Sequence, residues 1–161
     1  MKKTFFKTER ADWIFVIPST LIWVTSLFVI AWDFVYIQGM MYRFGIVNTL
    51  GLSLCILGVV LRRIAKRTLG EYYSYGLKTP KKIIKHGIYK HIRHPCYLAM
   101  LLYTLGTPLI FSSRYGFLIS LGVIPLVLYR MKIEEDMLLK QFGNEYREFM
   151  KKSEKLIPFV Y

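Results

Sequence analysis

Four uncharged apolar runs divide this chain: Trp13–Trp32, Ile46–Leu61, Tyr97–Phe111 and Tyr115–Tyr129. The first is twenty residues long, and at about 1.5 Å of rise per residue it crosses roughly 30 Å, the thickness of a bilayer's hydrocarbon. Trp13 and Trp32 stand at its two ends, where indole rings favour the membrane interface, and Trp23 lies within it. With 161 residues, 54% of them hydrophobic, the chain is long enough for one domain and too apolar for an ordinary soluble one. The expected fold is therefore an all-α integral membrane protein with about four transmembrane helices. The last two runs are short, fifteen residues each, or about 22 Å of helix. Gly106 and Pro108 interrupt the third run, and only Ser112, Ser113 and Arg114 join it to the fourth. A tight helical hairpin follows, its helices extending past the apolar runs or sitting at uneven depth. Such breaks are tolerated where they line a protein cavity, and Pro108 taken alone is equally well a plain kink.

A net charge of +13 suits either nucleic acid or an anionic membrane surface. The placement of the bases decides. With the N-terminus in the cytosol, four spans put segments 1–12, 62–96 and 130–161 inside. Lys and Arg number four, ten and seven there, which is 21 of the 23. Only Arg43 and Arg114 remain outside, so the bases report topology and need no nucleic acid. Both termini are expected in the cytosol. No cleavable signal peptide is expected, because the first run has full span length and no small-residue cleavage pattern closes it. Cys55 and Cys96 do not make a disulfide framework, and Cys55, inside an apolar run, reads as a buried small hydrophobe.

Segment 62–96 is too polar to span a bilayer and too aromatic for a disordered linker, with Tyr72, Tyr73 and Tyr75 between Gly70 and Gly76. It is expected to fold against the cytosolic membrane face. After Tyr129, apolar residues recur at Ile133, Met137, Leu138, Phe142, Tyr146, Phe149 and Met150, spacings that suit an amphipathic helix. Gly143 is expected to end one segment and Asn144 to cap the next. This tail reads either as a helix lying on lipid or as a lid over a cytosol-facing pocket.

Two constellations carry chemistry. His94-Pro95 reads as a helix start with proline at the first helical position. The positive end of the third span would then face the cytosol, with His94 and Tyr97 beside amides suited to an anion such as a carboxylate; simple capping is the other reading. Arg130 and Glu134, four residues apart, share a helix face at the end of the fourth span. As an exposed pair they are worth only about 0.3–0.5 kcal/mol, and the base precedes the acid, the less favourable order. At a membrane boundary an Arg holds a lipid-attached carboxylate by a two-pronged bond, and a Glu balances a cationic cofactor. His86, His91, His94 and Cys96 match no zinc spacing, so no metal is expected. Cys96 as a nucleophile lacks a marked base.

These motifs carry a resemblance. Gly87-Ile88-Tyr89, Arg93-His94-Pro95-Cys96-Tyr97, a Leu-rich hairpin, Arg130 with Glu134-Glu135, Phe142-Gly143-x-x-Tyr146 and Leu156-Ile157-Pro158 resemble the isoprenylcysteine carboxyl methyltransferase family, which is similar in turn to the phospholipid methyltransferases. The match covers roughly residues 80–158. The resemblance implies a membrane-embedded methyltransferase using S-adenosylmethionine in a pocket built by segments 62–96 and 130–161. By position, Tyr89, His94, Pro95, Cys96 and Tyr97 would line the cofactor and Glu134 would contact it. Lys81, Lys82, Ile83 and Ile84 occupy the loop stretch that adds cofactor contacts, and they depart from the family's commoner residues, so only their backbone carries over. Arg130 would face the substrate carboxylate. The implied acceptor is an isoprenylcysteine-type carboxylate reached through the bilayer; a phospholipid amine or another apolar acceptor is the alternative. A non-enzymatic membrane scaffold is the rival of another class and predicts no cofactor binding. Methyl transfer from a sulfonium to a carboxylate is a direct displacement, needing in-line placement and a dry site rather than an acid or a base.

Overall fold

A computed structural model describes residues 2–39, 44–72 and 82–156. Helices α1 (Lys2–Trp32), α2 (Ile46–Leu69), α3 (Pro95–Ile110), α4 (Arg114–Leu121), α5 (Val123–Phe142) and α6 (Asn144–Met150) make up most of it. The described residues hold no strand, only an isolated bridge between Ile92 and Glu154. Among the described residues, three stretches are long and apolar enough to cross a bilayer: Asp12–Ile37, Ile46–Leu69 and Arg114–Phe142. The fourth apolar helix, Pro95–Ile110, has 16 residues, about 24 Å. The protein is thus an all-α, multi-pass membrane protein, as its sequence led us to expect.

The helices overrun the apolar runs. α1 continues into a π-helical turn, Asp33–Ile37, and α2 carries on past Arg62-Arg63 to Leu69. The helix does not stop with the fourth run at Tyr129: α4 and α5 follow one another across Gly122, and α5 carries Arg130 about two turns and Glu134 about three turns beyond its first residue. Outside the bundle most side chains of α1 and α2 point away from protein, among them Trp13, Leu21, Phe28, Ile46, Leu50 and Ile56. Apolar surface of this extent needs lipid around it.

Small residues bring α2 and α3 into backbone contact. A methyl group added at Gly51 would lie 2.5 Å from the Ile110 amide nitrogen, and one at Gly58 would lie 2.9 Å from the Ala99 carbonyl. Gly106, from the other side, faces Cys55 and the Gly51 carbonyl at 2.8 Å. Where lipid is as apolar as leucine, such close approach is what holds helices together. Gly58→Val should therefore cost about 1–3 kcal/mol by overpacking, read as a lowered melting temperature in detergent.

Polar side chains fasten the opposite end of the hairpin. Asn48 donates to the Ile110 carbonyl (2.6 Å) and to Ser112 (2.9 Å), and Gln38 donates to the Phe111 carbonyl (2.8 Å). Ser113 caps α4 by accepting from Gly116 and donates to the buried Asp33. Ser26 donates to the Gly116 carbonyl (3.0 Å). Every one of these bonds satisfies backbone or hydroxyl groups that lipid would leave unpaired.

At the basic end, α5 stops at Gly143, whose φ of 53° is the left-handed conformation glycine takes without strain. Gly143 also serves as the N-cap of α6; Asn144, expected as that cap, is the first helical residue instead. The tail does not lie free on lipid: Tyr146 and Phe149 are buried, and the segment after α6 pairs with loop 91–94. Arg93 and His94 amides donate to the carbonyls of Glu154 (2.8 Å) and Lys155 (3.2 Å), and the Glu154 amide returns to His91 (2.9 Å). Leu156 then inserts between Leu101, Val123, Val127 and Met131. This strap holds the start of α3 against α5.

Candidate active site

Proline cannot donate an amide, so α3 starts at Pro95 with His94 as its N-cap, as the sequence predicts. The amides of Tyr97 and Leu98 both turn back to the His94 carbonyl, each at 3.1 Å. The helix start therefore offers an anion fewer free amides than its sequence suggests. What it offers instead is side chains. His94 is 4% exposed, and its imidazole stands between two adjacent carboxylates: Nδ1 is 3.9 Å from Glu134 Oε2, and Nε2 is 3.4 Å from Glu135 Oε1. Nε2 nevertheless lacks the alignment of a hydrogen bond and has no such partner.

The two glutamates divide the work. Glu135 is buried and receives Arg93 Nε (2.9 Å) and Lys155 Nζ (3.1 Å). Arg93 also donates to the carbonyls of Met150 and Ser153. One carboxylate thus clasps loop 91–94, α5 and the C-terminal strap together. Beneath it, burial, with the Glu135 charge adding to it, pushes the Tyr146 phenol far up, so Tyr146 keeps its proton and stays neutral. Glu134, with its side chain 32% exposed, is the carboxylate open to a ligand.

Around Glu134 the expected residues gather. The rings of His94 and Tyr97 lie 5.6 Å apart. The Tyr89 hydroxyl is 3.7 Å from Cys96 Sγ, and Tyr89 packs against Ala65 and Ile84 at the end of α2. The Tyr97 hydroxyl accepts from Arg130 Nε at 3.2 Å. Arg130 is 3% exposed, with its guanidinium 5.2 Å over the Phe15 ring and its Nη2 paired with Asp12. Tyr89, His94, Pro95, Cys96, Tyr97, Arg130 and Glu134 therefore form one continuous neighbourhood from four segments. Lys82, Ile83 and Ile84 line a cavity of about 490 Å³ with Lys85, His86, Phe142 and Glu145. Ile84 also belongs to the Tyr89 cluster and links cavity to site. Lys81 lies outside the described residues.

Sequence reasoning missed three partners. Arg93 stood inside the Arg-His-Pro motif and Glu135 beside Glu134, but nothing in the sequence said that they meet. Asp12 shares its N-terminal stretch with a second acid, Glu9, and with four bases, so the sequence did not single it out for a pairing role.

The family profile "Phospholipid methyltransferase" matches residues 46–145. A protein-S-isoprenylcysteine O-methyltransferase of Saccharomyces cerevisiae is 34% identical over 118 residues, covering 70% of this chain and 49% of its own length. A probable protein-S-isoprenylcysteine O-methyltransferase of Oryza sativa subsp. indica is 26% identical, covering 89% of this chain and 82% of its own. Among solved structures, the eukaryotic intramembrane Ras methyltransferase, an isoprenylcysteine carboxyl methyltransferase, superposes with a TM-score of 0.76 at 27% identity. It covers 88% of this chain and 52% of the solved one, so the chain spans about half the length of that structure and of the yeast relative. The chain belongs to the phospholipid methyltransferase family of membrane enzymes. Within it, the resemblance read from the Arg-His-Pro, Arg130 and Glu134 motifs holds: the relatives are isoprenylcysteine carboxyl methyltransferases, and the chain is a methyltransferase of that kind.

Proposed function

We propose that this protein transfers a methyl group from S-adenosylmethionine to the carboxylate of an isoprenylcysteine-type acceptor held in the bilayer, with the site on the cytosolic side. The observation that carries the reading is the buried Arg130 guanidinium. It lies on the helix that carries Glu134, one turn from it, and leans on the same Tyr97 that touches His94. The guanidinium already pairs with one carboxylate, that of Asp12, and its fork matches a carboxylate in two-pronged fashion.

The donor fits the residues present. The orphaned Nε2 of buried His94 and the half-open Glu134 carboxylate can serve its polar and cationic groups. Tyr89, Cys96, Tyr97 and the loop at Lys82–Ile84 supply flat and apolar walls. When bound, S-adenosylmethionine supplies an electrophilic methyl, whose bond to sulfur breaks as the carboxylate oxygen forms the new ester bond, leaving both partners neutral. The chain's task is to orient and to exclude water: Arg130 aims the acceptor, Glu134 holds the donor, and the strap ending in Leu156 closes the site from below.

The test is transfer of labelled methyl into N-acetyl-S-farnesylcysteine by the protein in nanodiscs, with phosphatidylethanolamine vesicles as the competing acceptor. Label in the farnesylcysteine ester is expected; label only in phospholipid would replace the carboxylate reading by N-methylation. Glu134→Gln removes the charge and should weaken donor binding about ten- to hundredfold, the equivalent of a charge-assisted bond, read by calorimetric titration. Absence of heat with the unaltered protein would sink the enzyme reading.

A further inference from the structure

Arg130 already holds a carboxylate. Asp12, near the start of the membrane-spanning part of α1, pairs with its Nη2, while Nε is taken by Tyr97 and the face by Phe15. The two partners are unequal: the Arg130 side chain is 3% exposed and that of Asp12 26%. The arginine is fixed in the interior and the aspartate sits at the rim. Resting on the reading that Arg130 receives the acceptor carboxylate, we infer that Asp12 is a resident counter-ion that holds the acceptor's place on Arg130 and returns to it when the ester product forms.

Taking the anion from a buried guanidinium without supplying another is strongly unfavourable. An incoming carboxylate avoids that cost only by trading places with Asp12, ion for ion. A neutral ligand offers no such exchange. The methyl ester is neutral, so methylation itself removes the product's claim on Arg130, and Asp12 resumes the contact. The pair therefore favours an acid over its own ester and helps release the product.

α1 is built to permit the exchange. On either side of Asp12 and Phe15, the side chains of Trp13, Ile14, Val16 and Ile17 are more than two-fifths exposed and point away from the bundle. At this level Phe15 packs edge-on to Tyr97, with ring centroids 6.2 Å apart, and against the cluster around Leu101 and Met131. Asp12 can leave Arg130 while Phe15 keeps α1 docked, so the exchange needs no helix to undock.

The test measures binding of N-acetyl-S-farnesylcysteine and of its methyl ester to the full chain in nanodiscs, for the unaltered protein, Asp12→Asn and Asp12→Glu. If Asp12 occupies Arg130 about nine-tenths of the time, removing its charge tightens acid binding about tenfold. Ester binding should stay unchanged, and Asp12→Glu, which keeps a competing charge, should bind the acid like the unaltered protein. Acid binding that is unchanged or weaker in Asp12→Asn overturns the proposal and makes Asp12 a support for Arg130. Arg130→Ala separates the two layers: if it leaves acid affinity intact, the carboxylate reading of Arg130 fails, and this inference with it. Should Asp12→Asn be too unstable for titration, the melting temperature decides. A larger rise on adding the acid than the unaltered protein shows supports the exchange, and an equal rise overturns it.

Discussion

Arg130→Ala should reduce methyl transfer to a carboxylate acceptor by about two to three orders of magnitude, the loss seen when a preorganised donor to a reacting oxygen is removed. Donor binding should survive, because Glu134, His94 and Tyr89 are left in place. The guanidinium serves several neighbours at once in the structure, Asp12, Tyr97 and the Phe15 face, and under the proposed exchange with Asp12 it would also hold the acceptor. Lysine keeps the charge but has neither fork nor plane. Arg130→Lys should therefore fall between the two, with the loss in acceptor KM as well as in kcat. The measurement is initial rate against acceptor concentration, alongside a donor titration. Unchanged acceptor affinity and turnover in Arg130→Ala would remove the arginine from the site.

Glu135→Ala should be the most damaging substitution for the folded state. The side chain is almost wholly enclosed and joins Arg93 to Lys155. Removing it takes away the anion that Arg93 and Lys155 share, a change worth about 3–5 kcal/mol for a buried pair. The consequence should be local before it is global. The strap at Ser153–Leu156 loosens from loop 91–94, and His94 loses its backing. Hydrogen exchange at the amides of Arg93, His94 and Glu154, which carry the ladder, should rise before α2 or the core of α3 opens. Glu135→Gln, which can still accept hydrogen bonds, should be milder. If exchange at these amides stays at its original level in Glu135→Ala, the carboxylate is not the clasp.

Much of the architecture was legible because the bilayer is a severe solvent. An apolar run of span length has few alternatives, so the helices around Trp13–Trp32 and Ile46–Leu61 could be placed without knowing any contact. Pro95 marked the start of α3 for a local reason, its missing amide, and Gly143 marked the end of α5 through its tolerance of positive φ. The ends of the fourth span were not legible. The apolar run ends at Tyr129, whereas the helix continues to Phe142, with Arg130 and Glu135 turned to protein partners and Lys132 left exposed. Periodicity reports which face is apolar, not what the polar face will meet.

The site shows the same division. Local chemistry singled out His94, Tyr97, Arg130 and Glu134, since a histidine before proline and an arginine a turn from a glutamate are short-range patterns. The sequence by itself determined that this is a helical membrane protein and that its acid, base and ring groups lie at the basic end of the bundle. Only the tertiary structure decided which carboxylate does what. Glu134 and Glu135 are neighbours in sequence with the same side chain. Successive residues on a helix point about 100° apart, so one turns to the open site and the other to Arg93 and Lys155. Asp12, more than a hundred residues from Arg130, became its partner through the packing of α1 against α5. No pattern along the chain encodes that distance.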